Sequence, residues 1–177
     1  MIDTSTIVLG IKIPSTSPAF LTIIGIHVAL GLSCAVTGLI AMLINKGQGR
    51  HSTFGKIYYW SLLAVFVSAT FPAVTRWNED YHLLVLGTFS FAAAHLGRTA
   101  LRRRWRNWVK LHITGMGTSY ILLLTAFYVD NGKSLPLWKE LPPTAYWLLP
   151  GAVGIPLIVR ALLRHPLVHM PRQPASY

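Results

Sequence analysis

The sequence predicts an all-α polytopic bundle of five membrane-spanning helices, and three observations lead there. Of the 177 residues, 53% are apolar and only 12% charged, a composition suited to solvation by lipid rather than water. The mean hydropathy is accordingly positive, at +0.48. The apolar residues gather into five runs divided by short polar or basic separators, and each run is long enough to cross ~30 Å of hydrocarbon at ~1.5 Å per residue. Residues 1–177 are read as one transmembrane domain.

Each element follows in order. Met1 to Ser17 is polar, contains proline and lacks the basic start of a signal peptide, and the run after it is too long for a signal-peptide core. Ala19 to Ile44 is therefore the first retained span. A glycine-punctuated turn from Asn45 to Arg50 leads to the second span, Ile57 to Val74, and Thr75 to Asp80 to the third, Tyr81 to Leu101. The Arg-rich separator Arg102 to Asn107 precedes the fourth span, Val109 to Val129. Connections this short make consecutive helices antiparallel neighbours. Asp130 to Thr144 carries Pro136, Pro142 and Pro143 and predicts an ordered, non-helical loop. The fifth span, Tyr146 to Leu163, contains Pro150 and Pro156 and is expected to bend, since each proline removes a ladder hydrogen bond.

Charge sets the orientation, because cytoplasmic loops retain Lys and Arg. One side collects Lys46, Arg50, Lys56, Arg98, Arg102, Arg103, Arg104, Arg106, Lys110, Arg160, Arg164 and Arg172; the other has Lys12, Arg76, Lys133 and Lys139 with all five acids, Asp3, Glu79, Asp80, Asp130 and Glu140. The amino terminus is thus expected outside and the carboxyl terminus in the cytoplasm. Aromatic belts agree: Trp77, Tyr81, Tyr128, Trp138, Tyr146 and Trp147 on the outer side, Tyr58, Tyr59, Trp60, Trp105 and Trp108 on the inner. The net charge of +11 is then a feature that sets topology and meets anionic headgroups, not a nucleic-acid surface.

Histidines inside spans are the informative residues, because an ionisable group in the bilayer is costly and faces the bundle interior or water. Of the seven, His165 and His169 fall in a proline-broken tail and His82 at the outer mouth of the third span. His95 and His112 flank the basic turn symmetrically, which puts them at one depth in an antiparallel hairpin. Arg98 follows His95 by one turn, and His51 opens the second helix on the same side. Two imidazoles on different helices, His95 and His112 with His51 as substitute, would ligate a b-type haem or a metal ion, leaving Arg98 or Lys110 for a propionate. Other uses of the same cluster are a proton relay, a polar-substrate site, or satisfaction of a neighbouring carbonyl with no chemistry.

A first-helix stripe, His27, Gly31, Cys34, Gly38, Ala41 and Asn45, recurs at three- and four-residue spacing, and its small members predict close helix packing. Cys34 is the single cysteine, so no intramolecular disulfide forms. On the fourth helix, His112, Gly115, Met116, Ser119 and Tyr120 share a face; Met116 reads as a gap filler, and Ser119 and Tyr120 as donors across helices. His51-x3-Gly55-x2-Tyr58 and His112-x4-Gly117-x2-Tyr120 echo one another, each after a basic turn, as two repeated hairpins would. No span holds an acid, and there is no phosphate-binding glycine loop, zinc spacing or Ser-His-Asp set. Carboxylate-driven pumping and hydrolysis are disfavoured.

The His51-x3-Gly55-x2-Tyr58 opening, the early His27, the Arg-rich turn before His112-x3-Met116-x2-Ser119-Tyr120, and the Leu148-Leu149-Pro150 and Gly154-Ile155-Pro156 segments resemble a family of bacterial multi-pass membrane proteins classed as a domain of unknown function. The resemblance runs from about His27 to about Arg160 and implies location in the bacterial cytoplasmic (inner) membrane. The histidine pattern is also distantly similar to four-helix cytochromes of the b561 kind, which hold haem between helix-borne histidines; unlike them, this chain has no matched outer pair. The expected function is a small membrane protein carrying a b-type haem for electron transfer, with a quinone or other subunits of a complex as partners. A cofactor-free structural or assembly subunit and a small-solute transporter are the alternatives.

Overall fold

In a computed structural model of the chain, residues 6–8, 11–13, 18–46, 49–136 and 138–169 are described. They form an all-α architecture of long helices: α1 (Pro18–Leu43), α2 (Arg50–Thr75), α3 (Trp77–Arg103), α4 (Trp108–Asn131) and α5 (Pro143–Arg164), followed by the short α6 (Pro166–His169). Ahead of α1, where the sequence predicts no element, β1 (Thr6–Val8) and β2 (Ile11–Ile13) pair antiparallel with Ile7 opposite Lys12. The helices overrun the apolar runs that announce them. α2 begins about two turns before Ile57, because apolarity marks the stretch suited to lipid while backbone hydrogen bonding continues through Arg50 to Lys56. α2 and α3 are separated by Arg76 alone, whose guanidinium pairs with Glu79 and Asp80 in the first turn of α3. Those carboxylates also suit the positive end of that helix.

Contacts between helices run in opposite directions along the chain and so establish antiparallel packing. His27 meets Ser68, Ser33 meets Ser61 and Cys34 meets the carbonyl of Tyr58 between α1 and α2. Between α3 and α4, Ser90 reaches Ser119 while Gly97 reaches His112 and Gly115. α1 to α4 close into a four-helix unit through the hydroxyl of Tyr120, which donates to the carbonyl of Ala35 at 2.9 Å. α5 lies outside against α4, with Ile158 seated over Gly117 and Ile121 over Gly154. The helix continues through Pro150 and Pro156, and this interlocking with α4 is the packing its glycines permit.

The interior is small and polar while the exterior is apolar. Ser119, Ser90, Thr125 and Thr37 are buried beside Cys34, Tyr58, Leu62 and Ala94, whereas Leu43, Leu148 and Leu163 are 76%, 68% and 67% exposed. An exterior of this kind is compatible with a lipid surround. Among the described residues, four helices are long and apolar enough to cross a membrane, over Leu21–Leu43, Arg50–Val74, Trp108–Ser134 and Pro143–Arg164. α3 falls outside that set, since Glu79, Asp80, His82, His95, Arg98, Arg102 and Arg103 dilute its apolar residues.

At the centre, the Tyr58 hydroxyl and Ser119 Oγ lie 2.7 Å apart and Ser90 Oγ donates to the Ser119 carbonyl at 2.8 Å. This knot joins α2, α3 and α4 where no water reaches it. Ser119→Val leaves the Tyr58 hydroxyl unpaired and crowds it, so thermal unfolding in detergent should show a loss of roughly 1–3 kcal/mol. Tyr58→Phe with Ser119→Ala, which removes both partners, should restore part of that loss.

The fourth separator, expected to be non-helical from Asp130 to Thr144, is helical at both ends: α4 runs to Asn131 and α5 begins at Pro143. A 3-10 turn at Gly132–Ser134 follows α4, Tyr146 donates to the Trp138 carbonyl at 2.9 Å, and the Trp138 ring packs at a tilt of 37° on Tyr128 with centres 4.5 Å apart. Of the expected first-helix packing stripe, Gly38 lies under Tyr120 and Tyr58, but Gly31 faces open space. Only the part of the stripe near the basic end is used for close approach.

Candidate functional site

The basic end of the bundle gathers the carboxyl-terminal end of α1, the first turns of α2 and α4, and the end of α5. His51 Nδ1–H donates to the Ala41 carbonyl at 2.9 Å, and His112 Nδ1–H donates to the Gly97 carbonyl at 3.2 Å. A carbonyl only accepts, so the proton of each neutral ring is on Nδ1 and Nε2 carries a lone pair. The two ring centres are 6.3 Å apart, with planes at 83°. Both residues are half-buried. Lys46 folds back over the end of α1, donating to the carbonyls of Ala41, Met42 and Ile44 at 3.1, 2.5 and 3.3 Å. Partial burial lowers its ammonium from the ordinary lysine value, while its position at a helix carboxyl terminus is the one that favours a cation. His51, Lys46 and His165 are near enough to act electrostatically on His112.

His95 is placed elsewhere. Its Nδ1 is 2.9 Å from the Tyr59 hydroxyl of α2, and its ring leans on Tyr59 and Phe91 at 6.3 and 6.0 Å. The expected convergence of His95 with His112 is corrected accordingly: the hairpin does bring α3 opposite His112, but the residue it presents there is Gly97. Two residues further along a helix is about 200° round its axis, so when Gly97 faces α4 His95 faces away. The face of α3 turned to α4 is Ser90, Ala93, Ala94 and Gly97. That stripe of small residues at three- and four-residue spacing was the available signal, and it excludes position 95.

Arg98 follows His95 to the same side. Its guanidinium lies 4.1 Å from the centre of the Tyr59 ring and 5.5 Å from that of Trp60, a cation–π seat. Its Nη1 is buried with no hydrogen-bond partner among the described residues. Tyr59, unmarked in the sequence except as an interfacial aromatic, is thus the residue that anchors both His95 and Arg98. His27 is held by Ser68 at 2.8 Å; because Ser68 donates its own proton to Val65, His27 Nδ1–H is the donor. His82 packs against Tyr81 and Trp147 at the acidic end. The side chain of His169 lies outside the described residues.

The echo between the two histidine openings has a counterpart in space. His51 meets His112, and Tyr58 meets Tyr120 with ring centres 6.2 Å apart. α2 and α4 run parallel across the bundle, and corresponding residues of the two hairpins pair across its middle.

Chemically, two neutral imidazoles with free Nε2 atoms suit a metal centre that takes two protein ligands. Among the described residues no group of three or more His, Cys, Asp or Glu could hold an ion by itself, so a tetrahedral zinc site is not offered. No family model, curated protein or solved structure matches the chain, and the resemblance in its His51 and His112 segments rests on those residues alone.

Proposed function

We propose that this chain is a multi-pass protein of the bacterial cytoplasmic membrane that carries electrons through one b-type haem held by His51 and His112. The carrying observation is the pair itself. Each imidazole is fixed by an Nδ1–H bond to a main-chain carbonyl of another element, the arrangement that orients a ligand ring and leaves Nε2 basic. His51 and His112, whose ring centres are 6.3 Å apart, would hold the iron of such a group. A porphyrin supplies the remaining four iron ligands, which is why two histidines suffice where a bare ion would need more.

Lys46 and Arg50 provide positive charge beside the pair for propionates. When bound, the haem would supply one-electron chemistry, and the residues around it would set its potential through ligation, burial and charge. A quinone or a neighbouring subunit would exchange those electrons. In this reading α3 is the fifth span. It is as long as its neighbours, lies between α2 and α4, and carries its acids in the first turn and Arg102 and Arg103 in the last. With the basic ends in the cytoplasm, the amino terminus is outside.

The test is an absorption spectrum of detergent-purified protein from a haem-supplying host, oxidised in air and then reduced with dithionite. A Soret band that shifts, with sharp α and β bands on reduction, is the expected result; aromatic absorbance alone after haem supplementation overturns it. The second reading is a cofactor-free structural or assembly subunit. What favours it is that His27, His51, His95 and His112 all have partners within the protein; it expects an intact fold with a featureless visible spectrum.

A further inference from the structure

We infer that the outer face of α3 is a seat for one anionic phospholipid, independent of any haem. An open groove of about 650 Å³ runs along this helix. Its floor is graded. Phe91, Ala92 and Leu96 line one end, and Thr99, Arg103 and Trp105 the other, a span of roughly 18 Å at ~1.5 Å per residue. An apolar trough that opens on a guanidinium, a hydroxyl and an indole matches an acyl chain continuing into a phosphodiester headgroup. The guanidinium takes phosphate oxygens in a fork, Thr99 supplies a hydroxyl, and Trp105 is the type of ring that settles at headgroup depth. His95, with Nδ1 engaged by Tyr59, leaves Nε2 to the groove between the two ends.

Charge selects the occupant. Arg103 stands at the polar end of the groove, while Glu79 and Asp80 begin α3 at its other end and Asp130 lies at the far end of the antiparallel α4. A zwitterionic lipid would gain the trough but not this field; an anionic one gains both.

Native mass spectrometry of the full chain in mild detergent, titrated with phosphatidylglycerol or phosphatidylcholine, tests the seat. One phosphatidylglycerol per chain should be retained at about fivefold lower concentration than phosphatidylcholine, the preference expected of one cationic side chain at an anionic surface. Arg103→Gln should remove that preference, and Leu96→Trp, which fills the trough, should weaken both lipids. Arg102→Gln, an equal loss of charge outside the groove, should leave the preference in place. Equal retention of the two lipids, or equal effects of Arg102→Gln and Arg103→Gln, overturns the seat. Millimolar inorganic phosphate should not displace the lipid; displacement would assign the polar end to a free anion instead. A change from monomer to dimer that Leu96→Trp abolishes would assign the groove to a second copy and likewise overturn the proposal.

Discussion

Gly115→Ala is expected to destabilise the bundle although alanine is the better helix former. A Cβ at position 115 would stand 2.6 Å from the carbonyl oxygen of Ala93 and 2.9 Å from both Cα and N of Gly97. These are main-chain atoms of α3, so no rotamer change relieves the clash; the two helices must separate. Overpacking of this kind costs about 1–3 kcal/mol, which outweighs the ~1 kcal/mol of helix propensity that alanine returns. Separation would also stretch the His112 bond to Gly97 and the Ser90 bond to Ser119, and Gly115→Leu should prevent assembly of α3 with α4 altogether. The comparison that isolates packing is Gly55→Ala, where the added methyl meets nothing within 4 Å; it should be neutral or slightly stabilising. Gly117→Ala sits between, because the atoms it meets are the flexible end of Ile158. Thermal melts in one detergent would read the order. A Gly115→Ala melt equal to that of Gly55→Ala would show that the helices do not approach as closely as described.

The same close approach explains what a reader of the sequence could and could not extract. The helices were legible because long apolar runs mark them, and their antiparallel order because the connections are short. Depth was legible too: residues equidistant from the Arg103–Arg104 turn do lie near one level. Azimuth was not, because it depends on which face of α3 carries the small residues. Ser90, Ala94, Gly97 and Ala100 are buried and together define that face, so His95 is turned to α2. The His51 and His112 echo carried the pairing information instead, since its corresponding residues, His51 with His112 and Tyr58 with Tyr120, are the ones that meet. Tyr59 had no local signal at all. Its role comes from meeting residues on another helix, and a tyrosine near a membrane interface is adequately explained by the interface. The polar knot of Tyr58, Ser90 and Ser119 was half legible, as Ser119 was marked for hydrogen bonding across helices but its partners were not.

The histidine variants separate the two ligand pairs, and here the expected effects are all or none. With His51 and His112 as ligands, His51→Ala and His112→Ala should each abolish the sharp reduced α band, because a haem deprived of one of its two imidazoles would lose its low-spin bands and much of its affinity. His95→Ala should retain full haem content: its ring serves Tyr59 and lines the groove along α3. The opposite pattern, loss in His95→Ala with retention in His51→Ala, would restore the pairing that chain symmetry about the basic turn suggests and would require α3 to be rotated from its described position. Loss of the bond to the Gly97 carbonyl could by itself loosen α4, so absence of haem in His112→Ala needs a second reading. His112→Gly supplied with free imidazole provides it. The small ligand can occupy the vacated position on iron, so the band should return without the tethered side chain, whereas a merely unfolded chain would not recover it. Retention of haem in all three alanine variants would sink the assignment of iron to either pair. A haem-free but normally eluting wild-type protein would instead leave the imidazoles as helix-joining groups, and then His51→Ala and His112→Ala should change only the melting temperature.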